Sequence, residues 1–208
     1  MRTRKTFLVL ASVVIMLLAL TTASYACTII GVGKKATTDG STIVTHNDDS
    51  GVADFRLWLL KGAEHKEGET RPIVIDSHDY IDYSKWPVVD YSANRNKRAL
   101  VLAEIPQPKK TYTYMHSRYS FMNEMGVAMG ETTCGVSTGN DYGKAVRTKL
   151  YDTDEGFLDC WNLQDIALER AATAREAVKI MGDLINEYGW NVTGGGGEII
   201  NIADGNEV

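Results

Sequence analysis

Cysteine is scarce in this chain. It occurs three times in 208 residues, as Cys27, Cys134 and Cys160. An odd count leaves at least one thiol unpaired, and fits either one bridge plus a reactive cysteine or three free thiols. Histidine is as sparse: His46, His65, His78 and His116 are scattered, and no pair has zinc-site spacing. The cluster His46, Asp48, Asp49 and Asp54 lacks the spaced acidic pattern and closing Glu of a calcium loop. Neither a metal nor a cofactor is therefore expected. Gly194-Gly195-Gly196-Gly197 precedes a β-rich run rather than a Lys-Ser/Thr pair and a helix, which excludes a phosphate loop. No apolar run after the N-terminal segment approaches the roughly 20 residues that span a bilayer.

The N-terminal segment is built differently. Arg2, Arg4 and Lys5 open it, an apolar run of roughly 14 residues follows, and Ser24 and Ala26 stand three and one places before Cys27. This is the layout of a signal peptide over residues 1–26 with a small-x-small cleavage site. Export, to the periplasm or the cell exterior, is the expected destination, an oxidising compartment. Removing 26 residues leaves 182, enough for one domain, and takes away three basic side chains, so the formal charge moves from −5 to −8. A chain this acidic is a poor match for nucleic acid or for anionic membrane surfaces.

Cleavage would make Cys27 the first residue. Such a cysteine carries nucleophile and base together, because its α-amine can accept the thiol proton. Free α-amines titrate near 7.7–8.0 and thiols near 8.5, so that transfer is nearly balanced. A non-catalytic lipoprotein anchored at Cys27 is the competing reading, although its signal prefers Leu where Ser24 stands.

Downstream, residues 28–33 and 41–45 are β-rich runs joined through Asp39-Gly40, a hairpin signal. Pairing Gly33 with Ser41 puts Cys27 opposite Asn47, and a tighter turn moves the partner a few residues later. Either register brings His46-Asn47-Asp48-Asp49-Ser50 beside the new N-terminus. Residues 65–98, polar and aromatic, read as a loop or cleft wall. Residues 98–105 read as a buried strand stopped by Pro106-Gln107-Pro108, with weaker strands at 112–115 and 118–122. Asn123-Glu124-Met125-Gly126 turns the chain into a strand over 127–134, with glycine at a point of close approach. After a polar segment at 135–154 comes a short helix marked by Trp161, Leu163, Ile166 and Ala167. A second opens on the capping box Thr173-Ala174-Arg175-Glu176. Its apolar face is Ala177, Met181, Leu184, Ile185 and Tyr188, and Gly189 ends it. Asp204-Gly205-Asn206 is a turn, and a return strand starting near Val208 suggests that the domain continues.

Several blocks resemble the dipeptidase A and secernin family of cysteine peptidases. They are Cys27-Thr28-Ile29-Ile30, Asp39-Gly40-Ser41-Thr42, Asn47-Asp48-Asp49-Ser50, and the run from Asn123 through Gly130-Glu131-Thr132-Thr133-Cys134. Ile166-Ala167-Leu168-Glu169-Arg170, Thr173 to Ala177, and Ile202-Ala203-Asp204 also fit. The resemblance implies an α+β fold, the αββα four-layer sandwich of N-terminal nucleophile hydrolases, with residues 27–208 its N-terminal portion. It also implies a peptidase acting on dipeptides or small peptides through Cys27. More distantly the hairpin is similar to that of penicillin V acylases and bile-salt hydrolases, which makes an N-acyl amide hydrolase the alternative. Their arginine and aspartate after the second strand correspond to His46 and Asp49, with histidine in place of arginine. Asp49 would then hold the ammonium, His46 would orient substrate or assist proton transfer, and donors near Thr133 would stabilise the oxyanion. A further asparagine and arginine would lie beyond Val208. Association into homo-oligomers is left open.

Overall fold

The computed structural model describes residues 27–48, 57–75, 100–134, 139–150, 156, 158–190 and 197–208. The leader, Asp49, Asp54, His78 and the aromatic stretch after Ile75 lie outside the described residues.

Strands β1 (Thr28–Val32) and β2 (Ile43–Asn47) form the expected antiparallel hairpin. The turn residue Gly40 has φ of 76°, open to glycine, and Asp39 Oδ1 accepts from the Ser41 amide at 3.0 Å. Thr28 pairs with Asn47, so Cys27 stands opposite Asp48, one residue later than the Gly33–Ser41 register gives. Strand β3 (Trp58–Leu60) follows, then β4 (Thr70–Ile75), which pairs antiparallel with β5 (Leu100–Pro106) across an irregularity at Ile73/Val74. β4 corrects the expectation of a loop throughout 65–98. Its Ile73 is fully buried and pairs with the strand expected at 98–105. A few aromatic and charged neighbours hid this short apolar run.

β6 (Tyr114–His116), β7 (Met122–Asn123) and β8 (Ala128–Cys134) follow. The expected strand over 118–122 shrinks to the two residues of β7. Ser117, Arg118 and Ser120 before it are buried polar groups served by side-chain partners rather than by a ladder. Helix α1 (Asp141–Leu150) occupies part of what reads as a polar segment. Helix α2 (Cys160–Arg170) is capped by Asp159, and α3 (Ala174–Tyr188) by Thr173, whose side chain accepts from the Glu176 amide at 3.2 Å. The Glu176 carboxylate reaches back to the Ala172 amide at 2.7 Å, and Gly189, at φ of 75°, ends the helix. Strand β9 (Gly197–Ala203) completes an antiparallel sheet in the order β3-β6-β7-β8-β9.

The fold is α+β. Helices α2 and α3 pack on one another and on the five-stranded sheet, enclosing Val127, Met129, Leu163, Ile166, Leu168, Ala177 and Met181. The β1–β2 hairpin packs against β8 and β9. Alternation along a strand decides what it presents there. Gly31 lies against Asn201, and Val44 and His46 lie against Gly130, so the inward row also contains Cys27, Ile29 and Asp48. Asp204 then ties three parts together. Its carbonyl accepts from Thr42 Oγ1 (2.5 Å), its Oδ2 from the Ala174 amide (2.8 Å), and its Oδ1 from the Asn206 amide (2.7 Å). Among the described residues no helix is long and apolar enough to cross a membrane.

Candidate active site

The site lies where the open end of the hairpin meets β8. Cys27 is half-buried, and its thiol reaches the Asp48 carboxylate. His46 Nδ1 stands 3.3 Å from Asp48 Oδ2. Burial alone would raise the Asp48 carboxyl. The approach of His46 and Glu131, the His46 charge and the Cys27 thiol outweigh it and hold the carboxyl below its ordinary value. Among the described residues, Asp48 is the carboxylate brought to Cys27.

Behind Asp48 lies Glu131, on β8 and 0% exposed. Desolvation is the main cause that pushes its carboxyl up to about 11; the contacts and charges of Asp48 and Glu198 add to it. Glu198, on β9, is also raised, first by burial and then by its acidic neighbours, against hydrogen bonds from Glu131 and Thr133. If all three carboxyls were ionised, Glu131 Oε1 and Oε2, Asp48 Oδ1 and Glu198 Oε2 would be buried without a donor. A proton on Glu131 turns the approach to Asp48 into a hydrogen bond.

Of the other expected site residues, Thr133 lies two positions along β8 from Glu131 and pairs with Glu198, whose Oε1 accepts from its hydroxyl at 3.3 Å. β7 pairs with β8 only at Ala128, so among the described strands that edge of β8 is uncovered by the time it reaches Thr133. Asp49 lies outside the described residues. Asp48 and Glu131 stand in motifs visible in the sequence, but only the packing of the hairpin on β8 reveals that they meet. Ligand atoms of His46, Asp48 and Glu131, and again of Glu131, Cys160 and Glu198, lie within 4.8 Å of one another, a spacing that could hold a cation.

The other cysteines differ in character. All three are free thiols, so Cys134 and Cys160 are not bridged. Burial first, then the charges of Asp159 and Glu198, push the Cys160 thiol well up, which disfavours thiolate chemistry there.

A second polar cluster resembles a Ser-His-Asp relay in composition. Ser120 Oγ donates to Asp165 Oδ1 at 2.5 Å, and both atoms lie 3.1 Å from His116 Nδ1. A relay needs serine and aspartate on opposite ring nitrogens. Here both crowd the same one, so the cluster holds α2 to the sheet. Arg71 extends it, with Nε 2.9 Å from Glu169 Oε1 and an Nη2 4.0 Å from Asp165 Oδ2.

Comparison with known proteins fits this geometry. The family model of Peptidase family C69 matches residues 26–208. A protein of Salmonella dublin named "Probable dipeptidase" is 28% identical over 170 residues, covering 79% of this chain and 33% of the relative. The chain therefore spans about a third of the length of that curated relative.

Proposed function

The chain belongs to peptidase family C69, and from that premise we propose that it is an exported cysteine dipeptidase in which Cys27, freed by removal of residues 1–26, is the nucleophile. The observation that carries this reading is the register of the hairpin, which sets Cys27 opposite Asp48 with His46 on the same inward row. The family match beginning at residue 26 leaves nearly all of the apolar leader outside it, in keeping with cleavage before Cys27.

In this reading the α-amine of Cys27 takes the thiol proton, and the thiolate attacks the carbonyl of the scissile amide. The leaving amine departs with a proton returned by the ammonium, and water, deprotonated by the freed amine, hydrolyses the thioester. Asp48, ionised and within reach of Cys27, holds the ammonium by a charge-assisted bond. Asp49 is a further carboxylate for the same task, and His46 orients the substrate or assists proton transfer. Donors on β8 near Thr133 stabilise the oxyanion, each contributing about 3–4 kcal/mol.

A four-layer αββα sandwich follows from the same reading. Helices, five-stranded sheet and hairpin supply three layers. Ile30 and Ile43, on the outward face of the hairpin, are 55% and 43% exposed, an apolar surface that a second helical layer would cover.

The test is dipeptide hydrolysis by the processed full-length protein. Cys27→Ala should abolish it. One extra residue before Cys27 keeps the thiol but turns the amine into an amide, so that version should also be inactive until trimmed. Hydrolysis by the untrimmed form would overturn the reading. Cleavage of N-acyl amino acids but not of dipeptides would make the enzyme an acylase instead, and a lipid-blocked Cys27 would make it an anchored lipoprotein.

A further inference from the structure

Glu131 touches neither solvent nor, by its position behind Asp48, any substrate carbonyl, yet it is fully buried among acids. Asp48 faces it from the hairpin and Glu198 from β9. Cys160, at the first turn of α2, brings its thiol within 4.8 Å of both Glu131 and Glu198, and its cap Asp159 adds a charge that acts on Glu198. Tyr119, before β7, feels the Glu131 charge, and its phenol is pushed up chiefly by burial. The neighbouring Arg118 guanidinium sits 3.9 Å from the Trp161 ring centre. This environment is chiefly anionic, and three ionised carboxyls within it would leave several buried oxygens facing one another without a donor.

One proton removes the conflict between Glu131 and Asp48, and its place follows from the surroundings. Asp48 has His46 and Cys27 as further partners that favour its ionised form. Glu131 is the most deeply buried of the three acids, and Asp48 and Glu198 act on its carboxyl, with a His46 ring nitrogen and the Cys160 thiol also within 4.8 Å. We propose that Glu131 is a positioning residue that remains a neutral carboxylic acid at working pH and donates its one proton to Asp48, so that Asp48 stays ionised and aimed at Cys27. The raised carboxyl of Glu131 and the lowered one of Asp48 agree with that division. The inference rests on the peptidase reading for its purpose, since positioning Asp48 matters only if Cys27 reacts.

Two measurements on the processed full-length protein test it, and neither needs substrate. In mildly alkaline buffer, infrared difference spectra should show a protonated carboxyl band in the wild type that Glu131→Gln removes. Alkylation of Cys27 by iodoacetamide, followed by mass analysis of its peptide, should run within about twofold of wild type in Glu131→Gln, which keeps a donor. In Glu131→Ala it should slow at least about tenfold, the scale of one hydrogen bond to a charged group. A merely structural role for Glu131 would leave the folded variants' alkylation rates alike and show no such band. If Glu131→Ala does not fold, the infrared band and Glu131→Gln still decide. The proposal is overturned if the wild type lacks the band, or if Glu131→Gln is as slow as Glu131→Ala. It is also overturned if a tightly held divalent cation, removable by chelator and lost in Glu131→Gln, occupies the acids. Failure to hydrolyse dipeptides with these results intact would count against the peptidase reading while leaving the Glu131 assignment standing.

Discussion

Gly130 faces Val44 with no room for a side chain: a Cβ on the glycine would stand 2.9 Å from Val44 Cγ1, 3.1 Å from the Thr45 carbonyl oxygen and 3.2 Å from His46 Cβ. The hairpin therefore seats on β8 only because that position has no side chain, and the seat sets the height of His46 and Asp48 above the sheet. Gly130→Ala should cost about 1–3 kcal/mol, the scale of overpacking in a dense interior. Thermal unfolding will read the stability. Cys27 alkylation should change in the same variant, because the hairpin that carries the thiol must shift.

Asn123 has a comparable role on the helix side. Its Nδ2 donates to the carbonyls of Leu168 and Ala171, both at 2.8 Å, and its Oδ1 accepts from the amides of Met125 (3.1 Å) and Val127 (3.0 Å). The turn at Gly126, φ 81°, is thereby tied to the end of α2. Asn123→Ala takes this partner from two carbonyls and two amides. A loss of about 4 kcal/mol is expected, from roughly 1 kcal/mol per bond. Urea denaturation should show a lower midpoint with an unchanged slope.

Asp165 predicts the acid limb of stability. Burial acts to raise its carboxyl, but the charge and hydrogen bond of His116, with Arg71 and Ser120, outweigh burial and hold it low. A depressed folded value means that its contribution is present above the unfolded carboxyl value, about 3.9, and is lost as pH falls through the folded value. Asp165→Asn should flatten stability against pH in that acid window. An unchanged acid limb would refute this assignment.

Glu131 predicts the opposite sign. Its folded carboxyl, at about 11, lies above the unfolded value of about 4.3. Its contribution is therefore fully present below the unfolded value and lost as pH rises toward the folded one. The stability of Glu131→Gln relative to wild type should climb steadily from weakly acid to alkaline buffer. A difference that does not vary with pH would show that Glu131 is ionised in the folded protein as it is in the unfolded chain, and would refute the assignment.

The thiols give a simpler test. In the native protein Cys160, 1% exposed and with its thiol pushed up by burial, should resist alkylation while Cys27 reacts. Unfolding without reductant should expose three reactive thiols, as expected for free cysteines. A single adduct, on Cys27 alone, would reveal a bridge.

The local signals carried much of this fold. Asp39-Gly40 marks a hairpin because its turn favours a residue open to positive φ, and the Asn123–Gly126 turn and the Thr173 cap likewise need only neighbours in sequence. The register of the hairpin followed to within one residue, because strand pairing is set by turn length, and with it came Cys27 beside His46 and Asp48. Strand β4, helix α1 and the irregular run before β7 were not legible, because short segments take their form from the partners they pack on. Above all, the acidic contact behind Cys27 belongs to tertiary structure. Asp48 and Glu131 are 83 positions apart along the chain, and no periodicity links them. They meet because a glycine at position 130 admits the hairpin onto β8, and burial there, which no sequence pattern measures, decides which carboxyl keeps its proton.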